Sequence, residues 1–126
     1  MKHFVTLSLF IFLLVTSNQR LNAQISNIKL SEAQKIEKLI ESISNLKNAK
    51  FDRNGTTYDA KAAAAHLKMK WGKAGSKVKT ARNFIDNIAS KSSFSGKPYK
   101  IMYENGKVVE THDFFIKKLN EIEGRK

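Results

Sequence analysis

Few of the 126 residues combine a reactive side chain with a neighbour able to activate it. There is no cysteine, which excludes thiol chemistry, and the histidines are His3, His66 and His112. His66 stands four residues before Lys70, one helical turn away. A cation at that distance disfavours a second positive charge, so this imidazole is expected to be neutral at pH 7. A neutral imidazole donates one hydrogen bond and accepts another, which suits either a general base or a half-buried histidine with a backbone partner. Downstream, Ser92-Ser93-Phe94-Ser95-Gly96-Lys97-Pro98-Tyr99 groups hydroxyls, a lysine and a glycine turn, all of which donate to anions. It lacks the upstream glycine and the Ser/Thr after the lysine that define a phosphate-binding P-loop. Ser93 or Ser95 activated by His66 gives a hydrolase reading, although no carboxylate is placed in the sequence to orient the histidine and complete a triad. The acidic residues show no acid and base spacing, and two lone histidines make no zinc motif. Neither a metal nor a cofactor is expected.

The elements that must carry these residues are legible from periodicity. Ser31 and Gln34 form a capping box before a helix in which Ile36, Leu39, Ile40, Ile43 and Leu46 share one face, with Lys35, Glu37, Lys38 and Glu41 outside. Asn54-Gly55 is a two-residue hairpin turn across which Phe51 and Tyr58 can pair. Asp59 caps a second helix, Ala60 to Trp71, that Gly72 is expected to end. In it Ala60, Ala63, Ala64, Leu67 and Trp71 make a narrow stripe of mostly small residues. A third helix begins near Thr80, with Val78, Ala81, Phe84, Ile85 and Ile88 on one face, and fails at the serines from Ser90. A second hairpin runs from Tyr99 to Val109 through Glu104-Asn105-Gly106-Lys107. Thr111 or Asp113 then caps a last helix with Phe115, Leu119 and Ile122 on one side. The expected fold is a single small α+β domain with about four helices and two short β-hairpins. Whether the hairpins share a sheet is left open.

Composition bounds where such a domain works. Lys2 and His3, the apolar run Phe4 to Val15 and a polar stretch ending at Ala23 follow the order of a secretory signal peptide. Twelve residues fall short of the about 20 that a membrane-spanning helix needs. Residues 1–23 are therefore expected to be cleaved, leaving 24–126 as one exported domain, periplasmic or extracellular. Without a cysteine to lipidate, that domain is expected to be soluble and to have no membrane span. Its charge is uneven: residues 24–59 hold 6 basic and 5 acidic side chains, 60–103 hold 10 basic and Asp86 alone, and 104–126 hold 5 of each. A basic middle third points to an anionic lipid or polysaccharide, or to nucleic acid, unless it is a solvated lysine surface. Lysine outnumbers arginine 18 to 3 after residue 23, and few aromatic side chains are available to stack on bases. Nucleic acid is accordingly the least favoured partner.

Four stretches together resemble the YfeK-like family of small exported bacterial proteins, a domain of unknown function. They are Phe51-x-Arg53-Asn54-Gly55, Ala65-His66-Leu67-x-x-Lys70, Thr80-Ala81-x-x-Phe84-Ile85-Asp86, and the serine-rich segment from Ser92 to Tyr99. Some relatives carry a cysteine near the start of the second helix, where this chain reads Tyr58-Asp59-Ala60, so no thiol role carries over. The resemblance implies an envelope protein without supplying an activity. It also groups Arg53, Asn54, His66, Lys70, Ser93, Ser95, Lys97 and Tyr99 as polar residues that a simple core does not require. They are expected to line one ligand-binding pocket or to form one buried polar network. The functional expectation is an exported binding or interaction module that recognises an anionic envelope component or a protein, with the hydrolase and nucleic-acid readings as alternatives.

Overall fold

The computed structural model describes residues 29–126, and the expected signal peptide lies outside the described residues. Helix α1 (Glu32–Ser44) opens with a complete capping box: the Ser31 hydroxyl accepts from the Gln34 amide at 3.2 Å, and Gln34 Oε1 accepts from the Ser31 amide at 2.9 Å. Both amides lie ahead of the helical ladder and have no partner within it. Ile36, Leu39, Ile40 and Ile43 face inward as their spacing requires. Lys35, which the same spacing puts outside, is only 7% exposed. Its ammonium reaches Glu123 at 3.0 Å and Glu32 at 3.3 Å, and the hydrogen bond to Glu123 raises its pKa. That acceptor is 88 residues away, beyond any local pattern.

Strands β1 (Lys50–Arg53) and β2 (Thr56–Tyr58) are joined by Asn54 at φ 55° and Gly55 at φ 82°, the positive angles that a tight hairpin turn demands. Strands β3 (Lys100–Met102) and β4 (Val108–Glu110) form the second hairpin. The two hairpins share one antiparallel sheet of order β2-β1-β3-β4. Phe51 pairs with both Tyr58 and Ile101, and Ile101 with Val109, so these four side chains line one face. Phe51 and Ile101 are buried against the helices. On the opposite face Lys100 sits across from Asp52 on one side and Glu110 on the other, an arrangement of opposite charges that favours this register.

Asp59 caps α2 (Ala60–Ala74) by accepting from the Ala62 amide at 2.8 Å. The helix does not stop at Gly72. It continues one turn, and Gly75 makes the exit at φ 53° with its amide on the Trp71 carbonyl. Glycine is tolerated inside a helix when flanking residues propagate it, and the left-handed exit is the position that needs one. After a short 3-10 turn, Gly75–Lys77, the Thr80 hydroxyl accepts from the Asn83 amide at 3.0 Å and starts α3 (Ala81–Phe84), which widens into a π-helical turn, Ile85–Ala89. Helix α4 (Thr111–Ile122) closes the fold with Phe115 and Leu119 inward. Neither Thr111 nor Asp113 caps it. Glu110 occupies the cap position without a side-chain bond, and Thr111 turns into the interior at 3% exposure. Phe84 is wholly buried and makes edge-on contacts with Trp71 and Phe115, each at 6.2 Å between ring centroids. The core belongs entirely to the compact unit Ser31–Lys126. No helix of the described residues is long and apolar enough to cross a membrane.

The end of the third helix organises this packing. A helix terminus leaves carbonyls without partners in the ladder, and a wide π turn leaves them irregularly placed. The Ser90 hydroxyl donates to the Ile85 carbonyl, Lys70 Nζ to Ile88 at 2.8 Å and to Lys91 at 3.2 Å, Thr111 Oγ1 to Ala89 at 2.9 Å, and the Tyr99 amide to Ser90 at 2.9 Å. Donors from α2, α4 and the strand entry therefore meet at one place. Thr111→Val keeps the shape of this side chain and strands the Ala89 carbonyl. It should lower the unfolding free energy by about 1–2 kcal/mol in urea titrations, with an unchanged slope. A smaller effect for Thr111→Val than for the exposed Thr57→Val would contradict the role given to this hydroxyl.

Candidate functional site

Between α2 and the sheet lies a cavity of about 170 Å³. The buried side chains of Ile43, Phe51, Leu67 and Ala89 form its inner wall, and the half-buried Arg53, Tyr58 and His66 stand nearer the solvent. The space exists because α2 presents Ala62 and Ala63 where longer side chains would fill it. Arg53 arrives there through strand alternation: two residues beyond Phe51, it points to the same side of the sheet. His66 arrives on the helical face one turn before Lys70.

Arg53 Nη1 lies 2.6 Å from the His66 ring nitrogens, and Nη2 donates to the Tyr58 hydroxyl at 3.1 Å, with the guanidinium carbon 4.9 Å from the Tyr58 ring centre. Arginine only donates, so the imidazole nitrogen that receives it carries no proton. Burial lowers the His66 pKa below its ordinary value, and the charges of Arg53, Lys70 and Lys73 push it further the same way. The neutral imidazole expected from Lys70 alone thus rests first on burial and then on Arg53. Lys70 is bound to the Ile88 and Lys91 carbonyls and to the Tyr99 hydroxyl at 3.1 Å, with all three ammonium donors engaged. Burial lowers its pKa, as does the Arg53 charge. Burial raises the pKa of Tyr99, against a smaller opposing pull from Arg53. Tyr99 meets the His66 ring edge-on at 6.3 Å. Arg53, His66, Tyr99 and Lys70 therefore form a continuous chain of contacts, the first three of them lining the cavity. Among the described residues neither cation has a carboxylate within ion-pair distance.

Of the remaining grouped residues, Asn54 and Ser95 form a second cluster with Ser92. Asn54 Nδ2 donates to Ser92 Oγ at 2.9 Å, and the Ser95 hydroxyl donates to Asn54 Oδ1. These bonds pin the first hairpin turn to the Ser92–Lys97 loop. Ser93 and Lys97 are exposed. No hydrogen bond among the described residues joins His66 to Ser93 or Ser95, whose hydroxyls the hydrolase reading needs beside the base. His112 pairs with Asp86 at 3.3 Å and Asp113 at 3.4 Å, apart from the cavity residues. The described residues contain no group of three or more His, Cys, Asp or Glu able to hold a metal ion. Two residues outside the expected pocket set matter here. Tyr58 is the phenol under Arg53, and the hairpin register could have found it, since Tyr58 is opposite Phe51 and diagonal to Arg53. Ser92 is the buried hub of the loop, and no local signal separates it from Ser93.

A family model described as a family of unknown function (DUF5329) matches residues 30–123. The chain belongs to that family. Its matched span takes in the core, the cavity and both polar clusters. Among similar proteins, the uncharacterized protein YfeK of Salmonella typhimurium strain LT2 is 35% identical over 74 residues, which cover 59% of this chain and 62% of that relative. The resemblance read from the four stretches is thus to the family that the comparisons show. No solved structure matches.

Two measurements probe the polar chain. In the folded state His66 resists protonation, while in the unfolded chain it titrates near its ordinary value of 6.5. The unfolded state then binds more protons, so stability is lost as pH falls through and below that value. Between neutral pH and about pH 5 the urea midpoint of the wild type should fall more than that of His66→Gln. Parallel curves would remove this role. Lys70→Met leaves the Ile88 and Lys91 carbonyls short of a donor and should cost about 1–2 kcal/mol, a figure reduced because the site is only half-buried. Unchanged stability on denaturation would refute the bracing assigned to Lys70.

Proposed function

We propose that this protein is an exported binding module, not an enzyme, whose cavity between α2 and the sheet takes a small amphipathic anion. One observation carries the reading: a half-buried guanidinium with no carboxylate in ion-pair distance among the described residues stands at the edge of a mostly apolar cavity. Burying a charge without a counter-charge is unfavourable, and a bound anion removes that penalty. Lys70 adds positive potential from behind, although its own donors are occupied. A cavity of about 170 Å³ has room for one compact apolar group of about the size of a benzene ring. The ligand class is therefore a carboxylate, or a similar oxyanion, on a short apolar body. Arg53 orients the head, with Tyr58 and His66 holding the guanidinium in place. Export through residues 1–23 sets the encounter in the cell envelope or outside it.

Titration of the chain from Gln24 with hexanoate and with benzoate should shift the backbone amide NMR signals of Arg53, Tyr58 and His66. Hexanol and benzyl alcohol, which lack the charge, should not. Arg53→Met should weaken carboxylate binding by about tenfold or more, consistent with loss of a charged hydrogen bond. Ala63→Leu, which fills the cavity and leaves Arg53 in place, should abolish it. Equal shifts with the alcohols, or carboxylate binding that survives both substitutions, would defeat the reading.

A further inference from the structure

The Ser92–Lys97 loop is fixed more firmly than a solvent-facing turn requires. Ser92 is buried, and its hydroxyl accepts from the Phe94 amide at 3.2 Å, the Ser95 amide at 3.3 Å and Asn54 Nδ2 at 2.9 Å. The Gly96 amide donates to the Ser92 carbonyl at 2.9 Å, and the Ser92 amide donates to the Lys97 carbonyl at 2.9 Å. Lys91 and Pro98 close the base of the loop as an antiparallel bridge. On this rigid frame Phe94 is 97% exposed. A lone surface phenylalanine is ordinary on a flexible turn, where the ring folds back when it finds cover. Here the backbone on both sides is held, so the ring stays in water. Lys91 and Lys97 flank it and are exposed, and residues 87–103 include Lys91, Lys97 and Lys100 with no aspartate or glutamate.

We infer that this loop is a docking tip for an anionic lipid bilayer, with Phe94 entering the headgroup region and Lys91 and Lys97 meeting the lipid phosphates. The choice of a bilayer over a protein partner rests on size and charge. The residues beside Phe94 in the loop, Ser93, Ser95 and Gly96, are exposed and polar or small, so the tip offers no second large apolar side chain. A stable protein interface buries about 800 Å² on each partner around a desolvated centre. One aromatic ring with flanking cations is, in contrast, what a bilayer interface accepts: aromatic side chains settle at headgroup depth, and each nearby lysine contributes about 1 kcal/mol of attraction to an anionic surface. The tip needs no ligand in the cavity, so it stands whether or not the anion site does.

The test uses the chain from Gln24, which contains the whole core, with vesicles of equal parts phosphatidylglycerol and phosphatidylcholine, and with pure phosphatidylcholine as the control. The wild type should co-sediment with the anionic vesicles alone, and added salt should release it. Phe94→Ala should weaken partitioning about fivefold while leaving thermal stability unchanged, since the ring packs against nothing. Lys91→Ala with Lys97→Ala should weaken it about twentyfold. In Phe94→Trp the tryptophan emission should shift to the blue on adding anionic vesicles, a change that the half-buried Trp71 of the wild type does not give. No binding to anionic vesicles overturns the inference. So does binding that Phe94→Ala leaves intact, or a Phe94→Trp emission that does not move, because either means attraction by charge without insertion.

Discussion

Two helices and a strand entry converge on the carbonyls at the end of the third helix. That end widens into a π turn, and the unladdered oxygens there need donors from outside the helix, those of Ile85 and Ala89 in the buried interior and those of Ile88 and Lys91 nearer the surface. A lysine from α2, a threonine from α4, a serine next to the turn and the amide of Tyr99 supply the donors. The ammonium also sits at the negative end of the helix dipole, where a cation is favoured. Once Lys70 is committed there, its helix is held at a set distance from α3, Tyr99 is drawn in by its hydroxyl, and His66 one turn earlier is brought against the sheet. The cavity follows from the same constraint. The lysine fixes how close α2 can come, while its alanines leave the space beside Phe51 unfilled.

Charge and packing divide the polar residues into two kinds. Lys70, Asn54, Ser92, Ser95 and Thr111 hydrogen-bond to partners within the chain that tie its elements together, so their chemistry serves architecture. Arg53 is different. It is held by a neutral histidine and a phenol, both of which orient a guanidinium without cancelling its charge. A carboxylate in place of His66 would have made an ion pair and left nothing to recruit. The lack of an ion-pair partner for Arg53 and Lys70 among the described residues is the electrostatic basis of a receptive site.

Local rules made much of this visible before any coordinates. The capping box at Ser31, the Asn54-Gly55 turn, the Asp59 and Thr80 caps and the pairing of Phe51 with Tyr58 all depend on residues within a few positions of one another, and all are found. The single α+β domain with four helices and two hairpins follows from them. Long-range partners decided what local rules left open or placed elsewhere. Lys35 is inside because Glu123 is there to receive it, Thr111 is a buried donor because the Ala89 carbonyl lies behind it, and the hairpins join through β1 and β3. At the site, the contact between His66 and Lys70 could be read from helical spacing. The approach of Arg53 to His66, and of Asn54 to Ser95, needed the fold itself to bring hairpin, helix and loop together.

The central pairing of the sheet also has a kinetic meaning. Each hairpin closes over a few residues, and each helix forms from local contacts, so these parts can assemble quickly and independently. The β1 to β3 pairing joins residues near 50 with residues near 100, and the whole α2 to α3 segment lies between them. Closing that span costs chain entropy that no local contact repays, and the two-sided burial of Phe51 against Ile101 appears only after it is closed. The meeting of the two hairpins is thus a long-range step of folding, as is the closure of α1 on α4 that Lys35 and Glu123 mark. Until the hairpins meet, the inner edges of β1 and β3 are both unpaired, the interval in which the chain is most open to pairing with another copy of itself.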